Sequence, residues 1–199
     1  MHNIVFDLGK VLIDWDPALA FTEYFDDPRD IPAWMERIDF HGWNLEQDGG
    51  RSFADGIAAA RQAHGEDARP LEGYVRNFPR TIARPVPGTW EVIETLDMAG
   101  VPLFAITNWA ADTWPAALHG YPRLHTIFRD IVVSGRVGLR KPDPAIFGLL
   151  LDRHGLAPGA TVFIDDSAAN VQAARNAGMS GILFTDARAL SDELAGLGF

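Results

Sequence analysis

The sequence predicts an α/β protein with a Rossmann-like three-layer core, built on a parallel sheet, and a small α-helical cap inserted after the first strand. From about residue 85 onward, apolar runs of strand length alternate with helical patterns, which is typical of a parallel sheet covered by helices on both faces. The runs are continuously apolar, as expected of strands buried on both sides. Between the first run and residue 85 only helical patterns occur, which favours an inserted cap.

Composition and charge exclude several classes of function. The chain has no cysteine, which rules out disulfides, thiolate metal sites and a cysteine nucleophile. Its formal net charge of -10 disfavours nucleic acid and anionic membrane surfaces as partners. No segment is apolar and long enough to span a bilayer, and the first strand leaves no room for a signal peptide. We therefore expect a cytoplasmic protein with a small-molecule partner, and the oligomeric state stays open.

The N-terminal part begins with a strand and continues with helices. The strand covers 2–7, and Asp16 is a candidate N-cap for the helix that follows it. Ser52, with Asp55 three residues later, predicts the start of another helix. A polar segment with three glycines, 41–50, is expected to be a loop. The predicted helices of this part cover 17–25, 31–40, 52–64 and 71–78.

The C-terminal part follows the stiff, proline-rich connector 84–88. Asp143 and Pro144 predict a helix N-cap and first turn, and Pro115 weakens the helix expected around it. The predicted strands cover 101–106, 131–133, 161–164 and 181–184. The predicted helices cover 89–99, 110–118, 143–154, 167–177 and 190–197.

This order predicts two units, a core formed by 1–15 and 85–199 and a helical cap formed by 16–84. A cap that closes over a site usually sets its specificity. Within the polar segment of the cap, Trp43, Glu46 and Asp48 are the candidate specificity residues. Core packing between cap helices is an equal alternative for Trp43.

Polar residues follow the apolar strands where these strands end. Asp7 ends the first strand, Thr107 and Asn108 end the second, and Asp165 and Asp166 end a later one, while Lys141 precedes a helix N-terminus. All these ends lie at one edge of a parallel sheet, where ligands bind. Clustered carboxylates repel one another unless a cation lies among them, which points to Mg²⁺. A hydroxyl, an amide and an ammonium group could then hold a phosphate.

Four motifs give the chain a resemblance to the haloacid dehalogenase superfamily, most of whose members are phosphatases. They are Phe6-Asp7-Leu8-Gly9-Lys10-Val11-Leu12, Ile106-Thr107-Asn108, Lys141-Pro142-Asp143-Pro144 and Ile164-Asp165-Asp166-Ser167-Ala168-Ala169-Asn170. Each motif is weak alone, but the four occur in the family's order and spacing across nearly the whole chain.

The resemblance implies a role for each matching residue. Asp7 would be the nucleophile and a Mg²⁺ ligand, and Gly9 would offer its backbone carbonyl to the metal. Asp166 would be the direct carboxylate ligand, with Asp165 binding through water or supporting it. Leu8, Gly9, Thr107 and Asn108 would hold the phosphate, and Lys141 would bridge phosphate and Asp7. Asp7, Lys141 and Thr107 form the candidate catalytic set.

The sequence departs from the family pattern at Gly9, where phosphatases usually carry a second aspartate that transfers protons. Such a group typically contributes about 10²- to 10⁴-fold to the rate. Three explanations stay open: another acid (Glu46, Asp48 or Asp14) substitutes, the leaving group needs little protonation, or the site binds phosphate with weak turnover. Some sugar-phosphate phosphatases of the superfamily resemble this chain in having a glycine there. We therefore expect a Mg²⁺-dependent phosphatase of a small phosphorylated metabolite, with a 2-haloacid dehalogenase-like hydrolase and a phosphate-binding module as alternatives.

Overall fold

A computed structural model describes residues 3–199, so His2 of the predicted first strand lies outside the described residues. Five strands form a single parallel sheet in the order β3-β2-β1-β4-β5. This confirms the predicted α/β class with a parallel sheet. The strands are β1 (Asn3–Phe6), β2 (Leu103–Thr107), β3 (Ile131–Val133), β4 (Thr161–Asp165) and β5 (Ser180–Leu183).

Helices separate these strands and fill the segment between β1 and β2. The helices of that segment are α1 (Ile31–Arg37), α2 (Phe40–Asp48), α3 (Phe53–His64), α4 (Tyr74–Thr81) and α5 (Thr89–Met98). The remaining helices are α6 (Trp114–Gly120), α7 (Leu124–Ile127), α8 (Ser134–Val137), α9 (Pro144–His154), α10 (Ala168–Asn176) and α11 (Ala187–Gly196). Among residues 3–199, no helix has the length and hydrophobicity needed to cross a membrane.

The sheet is buried on both faces, as its continuously apolar strands predict. On one face Val5, Phe104 and Phe163 pack against apolar side chains of α9 such as Phe147. On the other face alternate residues of the same strands join a core that extends through α5 and α11 into the helices of the inserted segment. Side chains alternate between faces along a strand, so each strand contributes to both cores.

Two antiparallel stretches of chain connect the inserted helices to the sheet. The backbone N–H of Asp14 donates to Arg84 O, and the N–H of Val86 donates to Leu12 O, around an antiparallel bridge between Ile13 and Pro85. This pairing lies where the sequence predicts the boundaries between core and cap. It supports the division into a core (1–15 and 85–199) and a cap (16–84), which we retain as a proposal.

The predicted loop over 41–50 is wrong, because most of it is helix α2. The side chain of Asp39 accepts a hydrogen bond from Gly42 N and caps the helix. A Cβ on Gly42 would lie 2.2 Å from Asp39 Oδ2, so glycine permits this cap rather than breaking the helix. On α3, a Cβ at Gly56 would lie 2.5 Å from Gln47 Oε1. The glycines therefore serve close packing here.

Other differences concern the ends and types of elements. The predicted helix 17–25 is instead two short 3₁₀ turns, although Asp16 caps the first of them as expected. The predicted helix 71–78 is displaced to α4 by a preceding 3₁₀ segment, Gly65–Gly73. Pro115 lies in the first turn of α6, where it is tolerated, so this helix begins later than predicted. The predicted caps Ser52 and Asp143 are confirmed.

Two glycine substitutions test how tightly the chain is packed behind the sheet edge. A Cβ on Gly135, in α8, would lie 2.6 Å from Ala111 N and 2.8 Å from Trp109 O. Gly135→Ala should therefore lower the free energy of unfolding by about 1–3 kcal/mol, because backbone atoms must move. Urea unfolding of the wild type and the variant measures the change.

Gly148→Ala, in the middle of α9, is the matched control. Apart from the chain neighbours of Gly148 and the backbone of its own helix, no heavy atom of the described residues lies within 4 Å of a Cβ placed there. This substitution should raise the free energy of unfolding by about 0.5–1 kcal/mol, as alanine does in a helix interior. Equal effects of the two substitutions would contradict the close approach at Gly135.

Candidate active site

The candidate site lies at the carboxyl edge of the sheet, around the buried ammonium group of Lys141. Lys141 Nζ is 2.8 Å from Asp7 Oδ1 and 2.7 Å from Asp165 Oδ2. Asp7 follows β1 and Asp165 ends β4, the strand beside β1, so the sheet order brings the two carboxylates together. The predicted convergence of strand-end groups is thus observed for these three residues.

The backbone of Lys141 is held by Asn108, which follows β2. The side-chain Nδ2 of Asn108 donates to Lys141 O (2.9 Å), and its Oδ1 accepts from Lys141 N (2.8 Å). Asn108 is also expected to hold phosphate, and this contact uses only one of the two N–H donors of its amide, so that role stays a prediction. The amide therefore positions Lys141, although Asn108 also lines the cavity described below.

Asp165 is fully buried and surrounded by donors. Besides Lys141, Asn170 Nδ2 donates to both carboxylate oxygens at 3.1 Å, and Ser167 N donates to Oδ1 at 2.8 Å. The adjacent Asp166 is exposed and faces the cavity. This difference agrees with the expectation that Asp166 is the more direct ligand and Asp165 the supporting one, and both assignments stay predictions.

Burial dominates the electrostatics of the nucleophile candidate. It raises the pKa of Asp7 above its usual range, an effect that Lys141 opposes and that Asp165 reinforces. For Lys141, burial lowers the pKa, but the two carboxylates outweigh it and raise the pKa above the ordinary lysine value. Lys141 therefore stays protonated between the two acids.

Three carboxylates are close enough to share a cation. One oxygen from each of Asp7, Asp165 and Asp166 lies within 4.8 Å of the others. Carboxylate oxygens are the ligands of hard divalent cations. Burial and the neighbouring Asp165 also raise the pKa of Asp166, which Lys10 and Lys141 oppose, so a further positive charge would stabilise this cluster. The donor set fits such an ion.

The hydroxyl of Thr107, the last residue of β2, is buried and has no hydrogen-bond partner among the described residues. A buried hydroxyl without a partner is costly and uncommon. At this edge of the sheet, it is a group that an oxyanion could satisfy.

A cavity of about 200 Å³ opens in front of Asp7. Its floor is formed by Asp7, Gly9 and Asp166, and its other walls come from helices α2 and α4 and from segments that follow β1 and β2. The remaining lining residues are Lys10, Trp15, Asn44, Asp48, Tyr74, Phe78, Asn108, Trp109 and Thr113. Four of these side chains are aromatic, so much of the wall is apolar.

The three candidate specificity residues occupy different places. Asp48 lines the cavity. Trp43 is buried among Phe40, Phe53 and Tyr74, and its indole N–H donates to Gly56 O. Trp43 is thus a packing residue of the helices rather than a cavity residue. Glu46 points outward, 3.6 Å from Arg140, with its side chain 57% exposed, and does not line the cavity.

Comparison with known proteins identifies the family. The family model of haloacid dehalogenase-like hydrolases matches residues 1–178. The chain belongs to this family. It is therefore a hydrolase, and the predicted family and enzyme class are confirmed.

Individual relatives of this hydrolase differ in length. A sesquiterpene phosphatase of Aspergillus oryzae is 27% identical over 195 residues, which cover 96% of this chain and 93% of the relative. Drimenol cyclase of Aspergillus calidoustus is 26% identical over 197 residues, which cover 92% of this chain. The chain spans about a third of that cyclase, 34% of its length.

A solved structure of similar fold comes from the same family. The enzyme from Bacteroides thetaiotaomicron, in complex with magnesium and inorganic phosphate, has a TM-score of 0.72 and 20% identity, with 94% of this chain and 95% of that one covered. This similarity establishes the fold, and it agrees with the predicted Rossmann-like core.

Sequence reasoning missed most of the cavity wall of this hydrolase. Trp15, Tyr74, Phe78 and Trp109 come from separate segments, and no local pattern indicates that they meet. Asn44 was also missed, because its segment was expected to be a loop rather than helix α2. Four residues after Asn44, Asp48 lies on the same helix face, and this spacing would have indicated their contact.

Removing the ammonium group of Lys141 should destabilise the fold, because it leaves the carboxylate cluster without its positive charge. In Lys141→Met, Asp7 and Asp165 remain buried without their partner, and we expect a loss of about 3–5 kcal/mol in the free energy of unfolding at pH 7. Without Lys141 the folded-state pKa of Asp7 rises further, so protonation of Asp7 relieves the repulsion and the loss shrinks as the pH falls toward about 4.

Urea unfolding at several pH values measures this dependence. Lys10→Met, at the exposed and only other lysine, is the control and should change stability by less than about 0.5 kcal/mol. A loss in Lys141→Met that does not vary with pH would argue against the ion pairs as its cause.

Proposed function

We propose that this hydrolase is a Mg²⁺-dependent phosphatase that acts on a small phosphorylated metabolite through an aspartyl-phosphate on Asp7. The observation that carries the proposal is the position of Asp7, which lies at the cavity floor, 2.8 Å from the Lys141 ammonium and with an oxygen within 4.8 Å of one of Asp166. An anionic nucleophile and an anionic substrate can meet only where positive charge offsets their repulsion.

Mg²⁺ is the cation that we assign to the carboxylate cluster. Asp7, Asp166 and the backbone carbonyl of Gly9 would bind it, with Asp165 as the supporting acid. When bound, the ion would neutralise phosphate charge and hold the phosphoryl group in line with Asp7. The magnesium and phosphate complex of the Bacteroides thetaiotaomicron enzyme supports this assignment.

The chain's own groups supply the rest of the phosphate site. Asp7 attacks phosphorus, and Lys141 offsets the negative charge that gathers on the transferred group. The hydroxyl of Thr107 would bond a non-reacting phosphate oxygen, which gives this buried group the partner that it lacks. The loop of Leu8 and Gly9 would approach the phosphate with its backbone, and Asn108 would keep Lys141 in position.

The cavity favours a substrate whose leaving group has an apolar face. Trp15, Tyr74, Phe78 and Trp109 line it, and burial raises the pKa of Tyr74, so its hydroxyl stays neutral. Aromatic rings stack against sugar rings and other flat or apolar groups. A sugar phosphate fits this description, and the sesquiterpene phosphatase among the relatives supports an apolar leaving group as well.

The two alternative functions have less support. A dehalogenase of this family uses no metal ion. Asp166 faces the cavity close to Asp7 and Asp165, and without a cation these carboxylates would repel one another. A binding module would rest on Gly9 alone, and a second acid, Asp48, reaches the same cavity. We therefore retain the phosphatase as the proposed function.

Replacing the nucleophile is the direct test of this proposal. Asp7→Asn keeps the shape of the side chain but removes its charge and nucleophilicity. We expect Mg²⁺-dependent hydrolysis of para-nitrophenyl phosphate to fall by at least about 10⁴-fold, as for other catalytic nucleophiles, with the variant still folded.

Asp14→Asn is the matched control, because Asp14 is paired with Arg84 and does not line the cavity. It should retain wild-type hydrolysis. Turnover by a folded Asp7→Asn variant, or turnover that persists without divalent metal, would contradict the proposed function.

A further inference from the structure

The loop that carries the nucleophile offers no second carboxyl group, although it has room for one. Gly9 lines the cavity beside Asp7. Apart from Gly9 and its two chain neighbours, no heavy atom within residues 3–199 lies within 4 Å of a Cβ built on Gly9, and the φ angle of Gly9 is not positive. Neither the backbone nor the packing therefore requires glycine here. A second carboxyl group for proton transfer must therefore come from another element.

Of three acids near the site, one reaches the cavity. Asp14 is 43% exposed and forms an ion pair with Arg84 at 3.0 Å, and Glu46 faces outward next to Arg140. Asp48, at the C-terminal end of α2, lines the same cavity as Asp7 and is about nine-tenths buried. It approaches the cavity from the inserted helices, opposite the sheet edge.

Asp48 is held in place by contacts with both units. Its backbone carbonyl accepts a hydrogen bond from Ser134 Oγ (2.6 Å), and Ser134 Oγ in turn accepts one from Trp109 N (2.9 Å). On the side chain, Asn44 Nδ2 donates to Oδ2 at 3.0 Å. The carboxyl group is therefore held at the wall of the cavity that Asp7 also lines.

We propose that Asp48 is the proton-transferring carboxyl group of the reaction and takes the role that Gly9 cannot fill. This inference rests on the proposed phosphatase function. As Asp7 forms its bond to phosphorus, the bond from phosphorus to the leaving oxygen breaks, and that oxygen takes the proton of Asp48. Water then attacks phosphorus and gives a proton to the Asp48 carboxylate, and the bond between Asp7 and phosphorus breaks. Phosphate leaves, and both acids return to their starting states.

The surroundings of Asp48 favour the protonated form that the first step needs. Burial raises the pKa of Asp48 to about 7, and the nearby Asp7 adds to this effect. The backbone N–H of Ala110 and the charge of Arg140 act in the opposite direction. Asn44, a neutral donor, and the neutral Tyr74 are its other polar neighbours. At neutral pH a substantial fraction of Asp48 therefore carries a proton.

The dependence on leaving group distinguishes this role from a structural one. We expect Asp48→Asn to lower kcat/KM for an alkyl phosphate by about 10²- to 10⁴-fold, and for para-nitrophenyl phosphate much less, since nitrophenolate leaves without a proton. The quantity kcat/KM is compared because it excludes hydrolysis of the aspartyl-phosphate. Glu46→Gln, on the same helix, is the control and should leave the ratio between the two substrates unchanged.

Restoring an acid at Gly9 provides a second test. The open space in front of Gly9 should accommodate an aspartate, so Gly9→Asp in the Asp48→Asn background should recover at least about tenfold in kcat/KM for the alkyl phosphate. In the wild type, kcat/KM for the alkyl phosphate should fall as the pH rises through about 7, and para-nitrophenyl phosphate should not show this decline. This comparison of wild-type pH profiles tests the role of Asp48 even if a variant fails to fold.

Each outcome bears on the inference. Equal losses for both substrates in Asp48→Asn, or identical wild-type pH profiles for them, would overturn the role of Asp48 and leave the phosphatase intact. Absence of Mg²⁺-dependent turnover of para-nitrophenyl phosphate by the wild type would overturn both. A loss of kcat/KM in Asp48→Asn that is confined to the alkyl phosphate, with recovery by Gly9→Asp, would establish the role of Asp48.

Discussion

The contact of the Lys141 ammonium with Asp7 and Asp165 is the interaction on which the rest of the site depends. Two buried carboxylates at the edge of one sheet repel each other. Lys141 offsets this repulsion, because its Nζ lies 2.8 Å from Asp7 Oδ1 and 2.7 Å from Asp165 Oδ2. The lysine is itself fixed through its backbone by Asn108. Asn108, Asp7 and Asp165 thus come from the ends of the adjacent strands β2, β1 and β4. They meet because the carboxyl ends of parallel strands lie at one edge of the sheet.

The inserted helices are joined to that same edge. Ser134 binds the carbonyl of Asp48, Arg140 Nη1 donates to Leu45 O at 2.6 Å, and Phe53 N donates to Asp112 Oδ2 at 2.9 Å. These core residues lie in the segments after β2 and β3, close in sequence to Asn108 and Lys141. The position of the cavity wall is therefore linked to the groups that hold the nucleophile. A change in the loops after β2 and β3 should therefore affect the shape of the cavity as well as the position of the Lys141 ammonium.

The chemistry of the sheet edge could be predicted from sequence, whereas the cavity wall could not. Asp7, Lys141 and Asp165 follow or flank apolar runs, and one rule of sheet topology is enough to bring them together. By contrast, Trp15, Tyr74 and Trp109 meet only through packing of distant segments. Gly42 of the segment 41–50 favoured a loop in the sequence, because only the fold shows that Asp39 occupies the space of its missing Cβ atom. The sequence also does not show that the Asn108 amide holds the backbone of Lys141, because the two residues meet only in the fold.

The most direct test of the account is to trap the phosphoryl group on Asp7. The wild-type protein is mixed with para-nitrophenyl phosphate and Mg²⁺, quenched with acid and reduced with borohydride, which converts an aspartyl-phosphate into homoserine. Peptide mass spectrometry then locates the change. The account predicts homoserine at position 7, and none when substrate is omitted. Release of nitrophenol with Asp7 unmodified, or homoserine at another aspartate, would contradict phosphoryl transfer through Asp7.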